Sequence, residues 1–120
     1  MDAGGFLLDE HVPRAIQARL IQMAVEIRVY AIGDDDAPPK GTPDSDLLVW
    51  IADHECLLVT NNRATMPVHL VARLAQGGHV PGIIQLPKRM DVAAIVDDLL
   101  LVWGGGEDDE FQDRIVYLPL

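Results

Sequence analysis

Short apolar runs alternate with amphipathic stretches from one end of the chain to the other. Phe6-Leu7-Leu8, Ile27 to Ile32, Cys56 to Thr60, Ile83 to Leu86 and Ile115 to Leu118 are too short for helices, and they read as strands. Between them, apolar residues recur at helical spacing. Pro13 at a first helical position opens a helix with Ile16, Leu20 and Ile21 on one face, ending near Ala24. Asp44 or Ser45 caps a second helix that carries Leu47, Leu48, Ile51 and Ala52 and ends near Glu55. Met66-Pro67 lead into a third with Val68, Leu70, Val71 and Leu74, stopped by Gly77-Gly78. Asp91 caps the last, in which Val92, Ile95, Val96, Leu99, Leu100 and Trp103 are spaced for burial and which Gly104-Gly105-Gly106 end. The breakers and acids from Gly33 to Pro43 form a surface loop. Strands alternate with helices throughout. That order predicts an α/β domain: a mainly parallel sheet with right-handed crossovers and helices on both faces.

Composition supports this architecture and narrows the chemistry. A chain of 120 residues fits one domain with one core. The hydrophobic fraction is 49% but the aromatic fraction only 5%, so the apolar mass is mainly Leu, Val, Ile and Ala, which suits strands covered on both faces. Cys56 is the only cysteine, which excludes an internal disulfide and a CxxC site, and its place before Leu57-Leu58-Val59 predicts a buried structural thiol. No apolar run is long enough to span a bilayer and no leader pattern opens the chain, so a cytoplasmic, non-membrane protein is expected. The net charge of -10 argues against a general nucleic-acid binder, because Lys and Arg contacts to phosphate supply most non-specific affinity. An acidic protein still cleaves nucleic acid where metal ions neutralise its site or a few arginines stand locally. The chain has no GxxxxGK[ST], GxGxxG or GxSxG.

Chemistry-bearing residues collect at the ends of the predicted strands. Asp9 and Glu10 follow the first strand, Asp44 and Asp46 start the second helix, and Asn61 and Asn62 follow the third strand. In a parallel sheet these positions share one edge, where open α/β sheets hold ligands. Carboxylates there call for a hard cation such as magnesium or manganese. Asp44 and Ser45 also have a bland role as caps, and Asp46 suits the first turn through the helix dipole. His11 follows the acidic pair as a general base, a ligand or a local hydrogen-bonding group. Arg14 and Arg63 lie near the same edge as phosphate contacts, though Arg63 could equally pair with Asp9 or Asp46 and fill a metal's place. His54, His69 and His79 lack the pairing of zinc sites. Asp34-Asp35-Asp36 read as a solvated loop.

Taken in order, Phe6-Leu7-Leu8-Asp9-Glu10-His11-Val12-Pro13, Ser45-Asp46 opening a helix, Leu57-Leu58-Val59-Thr60-Asn61-Asn62-Arg63, Thr65-Met66-Pro67 and Pro81-Gly82-Ile83-Ile84 span nearly the whole chain. This series resembles the uncharacterised bacterial PIN-like domains, relatives of the toxin-type PIN ribonucleases. The resemblance implies a three-layer α/β/α sandwich whose acidic pocket binds magnesium or manganese and hydrolyses single-stranded RNA, with an antitoxin-like protein as partner. It makes Asp9 and Asp46 catalytic metal ligands, Asn62 a neutral ligand or substrate contact, and Arg14 and Arg63 substrate contacts, with Glu10, His11 and Asn61 auxiliary. Asn62 and Ala64 stand where the family carries acids. Their loss predicts weaker divalent binding, because the missing charges are those that a cation would offset. The alternative is a catalytically weakened PIN-like module that acts through a protein partner or by self-association, with the last helix and Trp103 offering a homodimer surface. A receiver-type phosphoacceptor domain is a third reading, echoed by Asp9-Glu10 and Lys88, but Thr60-Asn61-Asn62 occupy the place of its phosphorylatable Asp.

Overall fold

The first strand starts where the chain has no side chains. In the computed structural model, which describes residues 4–105 and 109–120, Gly5 sits at φ +129°, and a Cβ there would lie 1.9 Å from the Arg28 carbonyl oxygen. Only glycine allows that approach. It brings β1 (Gly5–Leu8) against β2 (Val29–Ala31), with Phe6 N–H donating to Arg28 O at 2.8 Å and Phe6 registered to Val29. β3 (Cys56–Thr60), β4 (Ile83–Gln85) and β5 (Ile115–Tyr117) complete a sheet of order β2-β1-β3-β4-β5 in which every pairing is parallel.

Four helices, α1 (Arg14–Met23), α2 (Asp44–His54), α3 (Met66–Ala75) and α4 (Val92–Gly105), cover the two faces. Alternation along the strands separates two cores. Phe6, Leu8, Leu57, Val59 and Ile84 face α1 and α4 with Ile16, Leu20, Ile95 and Leu99. Leu7, Cys56, Leu58 and Ile83 face α2 and α3 with Leu48, Ile51, Met66 and Leu70. The result is a three-layer α/β/α sandwich, as expected.

The last crossover departs from the expectation of uniform right-handedness. From β1 to β2 the chain steps one way along the sheet with α1 on the first face. From β2 to β3 and from β3 to β4 it steps the other way with α2 and α3 on the second face, which keeps the hand. From β4 to β5 it continues in that direction, yet α4 lies beside α1 on the first face. That connection therefore has the opposite hand to the other three. The physical reason is coverage: α2 and α3 already occupy the second face, whereas Val59, Ile84 and Leu86 on the first need the apolar side of α4.

Smaller differences have local causes. β2 is shorter than the run Ile27–Ile32, because Ile27 N–H closes a turn onto Ala24 O, although both end residues are buried. Ile21 is 48% exposed; the buried stripe of α1 runs through Ile16 and Leu20, one helical turn apart. Asp91 caps α4 through Ala94 N–H at 3.2 Å, as expected. By contrast, neither Asp44 nor Ser45 caps α2: Pro43 holds the cap position and Asp44 is the first helical residue. α4 runs through Gly105, and Gly106 lies outside the described residues. Cys56 is fully buried, and that burial pushes its thiol up to about 11 despite nearby Arg28. No helix among the described residues is long and apolar enough to cross a membrane.

Candidate functional site

The strand order reverses between β1 and β3. Loops leaving their carboxyl ends diverge, one toward β2 and the other toward β4, and open a crevice between them. Asp9 and Asn61-Asn62 stand at its two sides. Asp9 N–H still pairs with Val59 O at 2.9 Å, and its own carbonyl accepts from Val12 N–H at 3.0 Å, so the chain turns sharply with the carboxylate at the sheet edge.

A continuous chain of hydrogen bonds crosses the crevice. Asp9 Oδ1 accepts from Glu10 N–H and Oδ2 from the Thr60 hydroxyl, each at 2.7 Å. The Thr60 hydroxyl, fully buried at the end of β3, accepts in turn from Asn62 N–H at 3.0 Å. Asn62 Nδ2 donates to Asp44 Oδ2 at 2.9 Å and to the Thr65 hydroxyl at 2.8 Å, while its Oδ1 accepts from Thr65 N–H at 3.2 Å. Thr65 Oγ1 lies 3.4 Å from Asp44 Oδ2, and His69 Nε2 is 3.7 Å from the same oxygen. Asp9, Thr60, Asn62 and Asp44 are thus joined from β1 through β3 to α2.

Asn62 is fixed in its role by these neighbours. Reversing the amide would set its oxygen against the Asp44 carboxylate and its NH2 against Thr65 N–H, two repulsive contacts. The carboxamide therefore presents a donor to the acid.

Asp44, read from the sequence both as a cap and as one of the acids at this edge, is the acid that α2 delivers to the network, where the resemblance pointed to Asp46. Asp46 is exposed on the same helix and is not joined to the chain of bonds. Two residues along an α-helix turn the side chain by about 200°, so only one of the pair reaches the sheet edge. That rotation is the signal that separates them, and Pro43 before Asp44 sets the phase.

The other expected residues divide. Asn61 Nδ2 donates to the His11 carbonyl at 3.3 Å, whereas the His11 residue is exposed. Glu10 Oε1 accepts from Gly41 N–H at 2.9 Å and ties the acidic loop to the edge. Arg14 is engaged within the protein: Nη1 meets Asp34 Oδ1 and Gln17 Oε1, each at 2.9 Å. Hydrogen bonds from Gln17 and then Arg14 hold the Asp34 carboxyl below its ordinary range. Arg63 donates to the Leu86 carbonyl at 3.0 Å, and among the described residues no ion pair joins it to Asp9 or Asp46. Arg63 and Lys88 line a hollow of about 470 Å³ that Asn61 and Asn62 share.

For a magnesium or manganese ion the chain offers Asp9 and Asp44. Both Asp9 oxygens already accept protein donors, and Asn62 turns its amide nitrogen toward Asp44. Among the described residues no three Asp, Glu, His or Cys side chains converge into a metal-holding group. As arranged, these residues are a poor fit to a hard cation that takes oxygen ligands in near-octahedral order.

Protein-family models, curated proteins and solved structures show no match to this chain.

Proposed function

We propose that this protein is a PIN-like module of the toxin-type kind whose acidic pocket has become a binding site rather than a cleaving one. The observation that carries the reading is Asn62: a neutral amide, held by Thr65, supplies to Asp44 the compensation a cation would otherwise give. A hydrogen bond from an amide offsets less charge than a divalent ion. It also leaves no Lewis acid to activate water or stabilise a pentavalent phosphorus. On this reading the protein works in the cytoplasm through an antitoxin-like partner or a second copy of itself.

A specific observation favours a second reading, a metal-dependent ribonuclease with a weakened site. Asp9 and Asp44 still belong to one hydrogen-bonded network beside a hollow lined by Arg63 and Lys88. On that reading an ion would have to displace the Thr60 and Asn62 donors before Asp9 and Asp44 could hold it, and Arg63 would meet phosphate.

Incubation of wild type with labelled single-stranded RNA and manganese separates the two. The binding reading predicts no cleavage above the metal-only control. Metal-stimulated cleavage that Asp9→Asn abolishes would instead establish the nuclease.

A further inference from the structure

We infer that the hollow beside the acid network is a seat for one nucleotide unit, its phosphate held by Arg63 and Lys88 without a metal ion. Three features of the concavity lead there. First, two cations face it in a protein of net charge -10, and neither Asp9 nor Asp44 lines it. Second, Arg63 is oriented: Nη2 is tied to the Leu86 carbonyl at 3.0 Å, so the guanidinium is held between the loop after β3 and the end of β4. A guanidinium fixed at one nitrogen directs its remaining N–H groups as a fork, and a fork matches the paired oxygens of a phosphate. Lys88 adds a compact charge on the strand's exit loop, so two positive charges meet a phosphate dianion.

Third, part of the lining beyond the two cations and the Asn61 and Asn62 amides is apolar. Ala64, Pro87 and Met90 form a wall beside the cations, and Met90 is 37% exposed. A polarisable thioether and a proline ring suit the face of a heterocycle, whereas inorganic phosphate would leave that wall uncovered. The volume, about 470 Å³, lies within the roughly 300–1,000 Å³ of small-ligand sites. Phosphate on the cations and a base on the Pro87–Met90 wall satisfy both halves. The shared chemistry is a nucleoside monophosphate, whether free or as the end of an RNA chain. This seat stands independently of the proposed loss of cleavage, since neither acid contributes to it.

Calorimetry on the whole protein in chelator-containing buffer tests it with adenosine monophosphate, adenosine and inorganic phosphate. The monophosphate is expected to bind at least about tenfold more tightly than either fragment. Arg63→Gln and Lys88→Gln should each weaken it by about tenfold, with Arg63→Lys falling between because the charge stays and the fork is lost. Arg19→Gln, on the exposed side of α1, should bind as wild type does. Competition by a 5′-phosphorylated RNA octamer, but not by its unphosphorylated form, identifies the chain terminus as the source; indifference to both identifies the free nucleotide. The inference is overturned if wild type binds adenosine as well as the monophosphate, if it binds neither, or if Arg63→Gln and Lys88→Gln both retain full affinity while their circular dichroism matches wild type.

Discussion

The two edges of the sheet are both polar, but their polar groups bond to different things. At the amino edge, side chains mainly hold backbone, with the pair of His79 and Asp113 beside them. Arg28 Nε donates to Gly4 O, Arg73 Nε to His79 O, and Asp113 Oδ1 accepts from Val80 N–H. At the carboxyl edge Arg63, Asn61 and Glu10 also hold backbone, but a cluster of side chains there holds one another: Thr60 with Asp9, and Asn62 with Asp44 and Thr65. Side chain to side chain bonds are the minority in folded proteins, because most polar side chains serve the main chain. A cluster of them around two carboxylates therefore marks the edge where polar residues are kept for something other than holding the chain.

If that contrast is right, damage at the amino edge should cost stability and spare binding. The largest effect is predicted for Gly5→Ala, whose Cβ would collide with the Arg28 carbonyl; it should lose about 4 kcal/mol or more, or fail to fold, in urea denaturation. Asp113→Ala should follow. It orphans the N–H of buried Val80, breaks the pair with His79 Nδ1 at 2.7 Å and leaves alanine at φ 61°, a loss of about 2–4 kcal/mol with nucleotide affinity unchanged.

Burial raises the Asp113 carboxyl, but the Val80 N–H and His79 outweigh it and the net shift is downward. A carboxyl lowered in the folded state contributes stability that is present above its unfolded pKa and lost as pH falls through the folded one. Asp113→Asn should therefore flatten the acid limb of the stability curve, and Asp34→Asn should do the same through its contacts with Gln17 and Arg14. Cys56 acts at the other end of the scale. With its thiol raised to about 11, its contribution is complete below about pH 9 and falls away as pH rises toward 11, and a maleimide should label it only when the protein unfolds.

At the carboxyl edge the expected effects on stability are smaller and those on the site larger. Thr60→Val removes the hydroxyl that links Asp9 to Asn62 N–H and should cost about 1–2 kcal/mol. Asp46→Asn should change stability by no more than about 0.5 kcal/mol and leave binding intact, since the residue is exposed and outside the network. Were Asp46→Asn to disturb the pocket and Asp44→Asn not, the assignment of the two acids would be reversed.

Much of this was legible in the sequence because strands and helices announce themselves through period and punctuation. The run Cys56-Leu57-Leu58-Val59-Thr60 could hardly be anything but a buried strand, and Gly77-Gly78 had to end a helix. What escaped depends on relations between elements. The hand of the last crossover follows from which face was left uncovered, a property of the assembled sheet. Asp44 and Asp46 differ only in helical phase, fixed by where α2 begins. Thr60 read as the last residue of a strand, yet a hydroxyl closing an otherwise apolar run is itself a hint that the strand ends against something polar. Lys88 joins Arg63 only because β3 and β4 are neighbours.

The most direct test of the pocket is Asn62→Asp, examined by manganese calorimetry beside wild type. If Asn62 stands in for a cation, the added carboxylate faces Asp44 and is relieved by metal, so the variant should bind manganese at least about tenfold more tightly than wild type. Wild type binding manganese as tightly as Asn62→Asp would contradict the account.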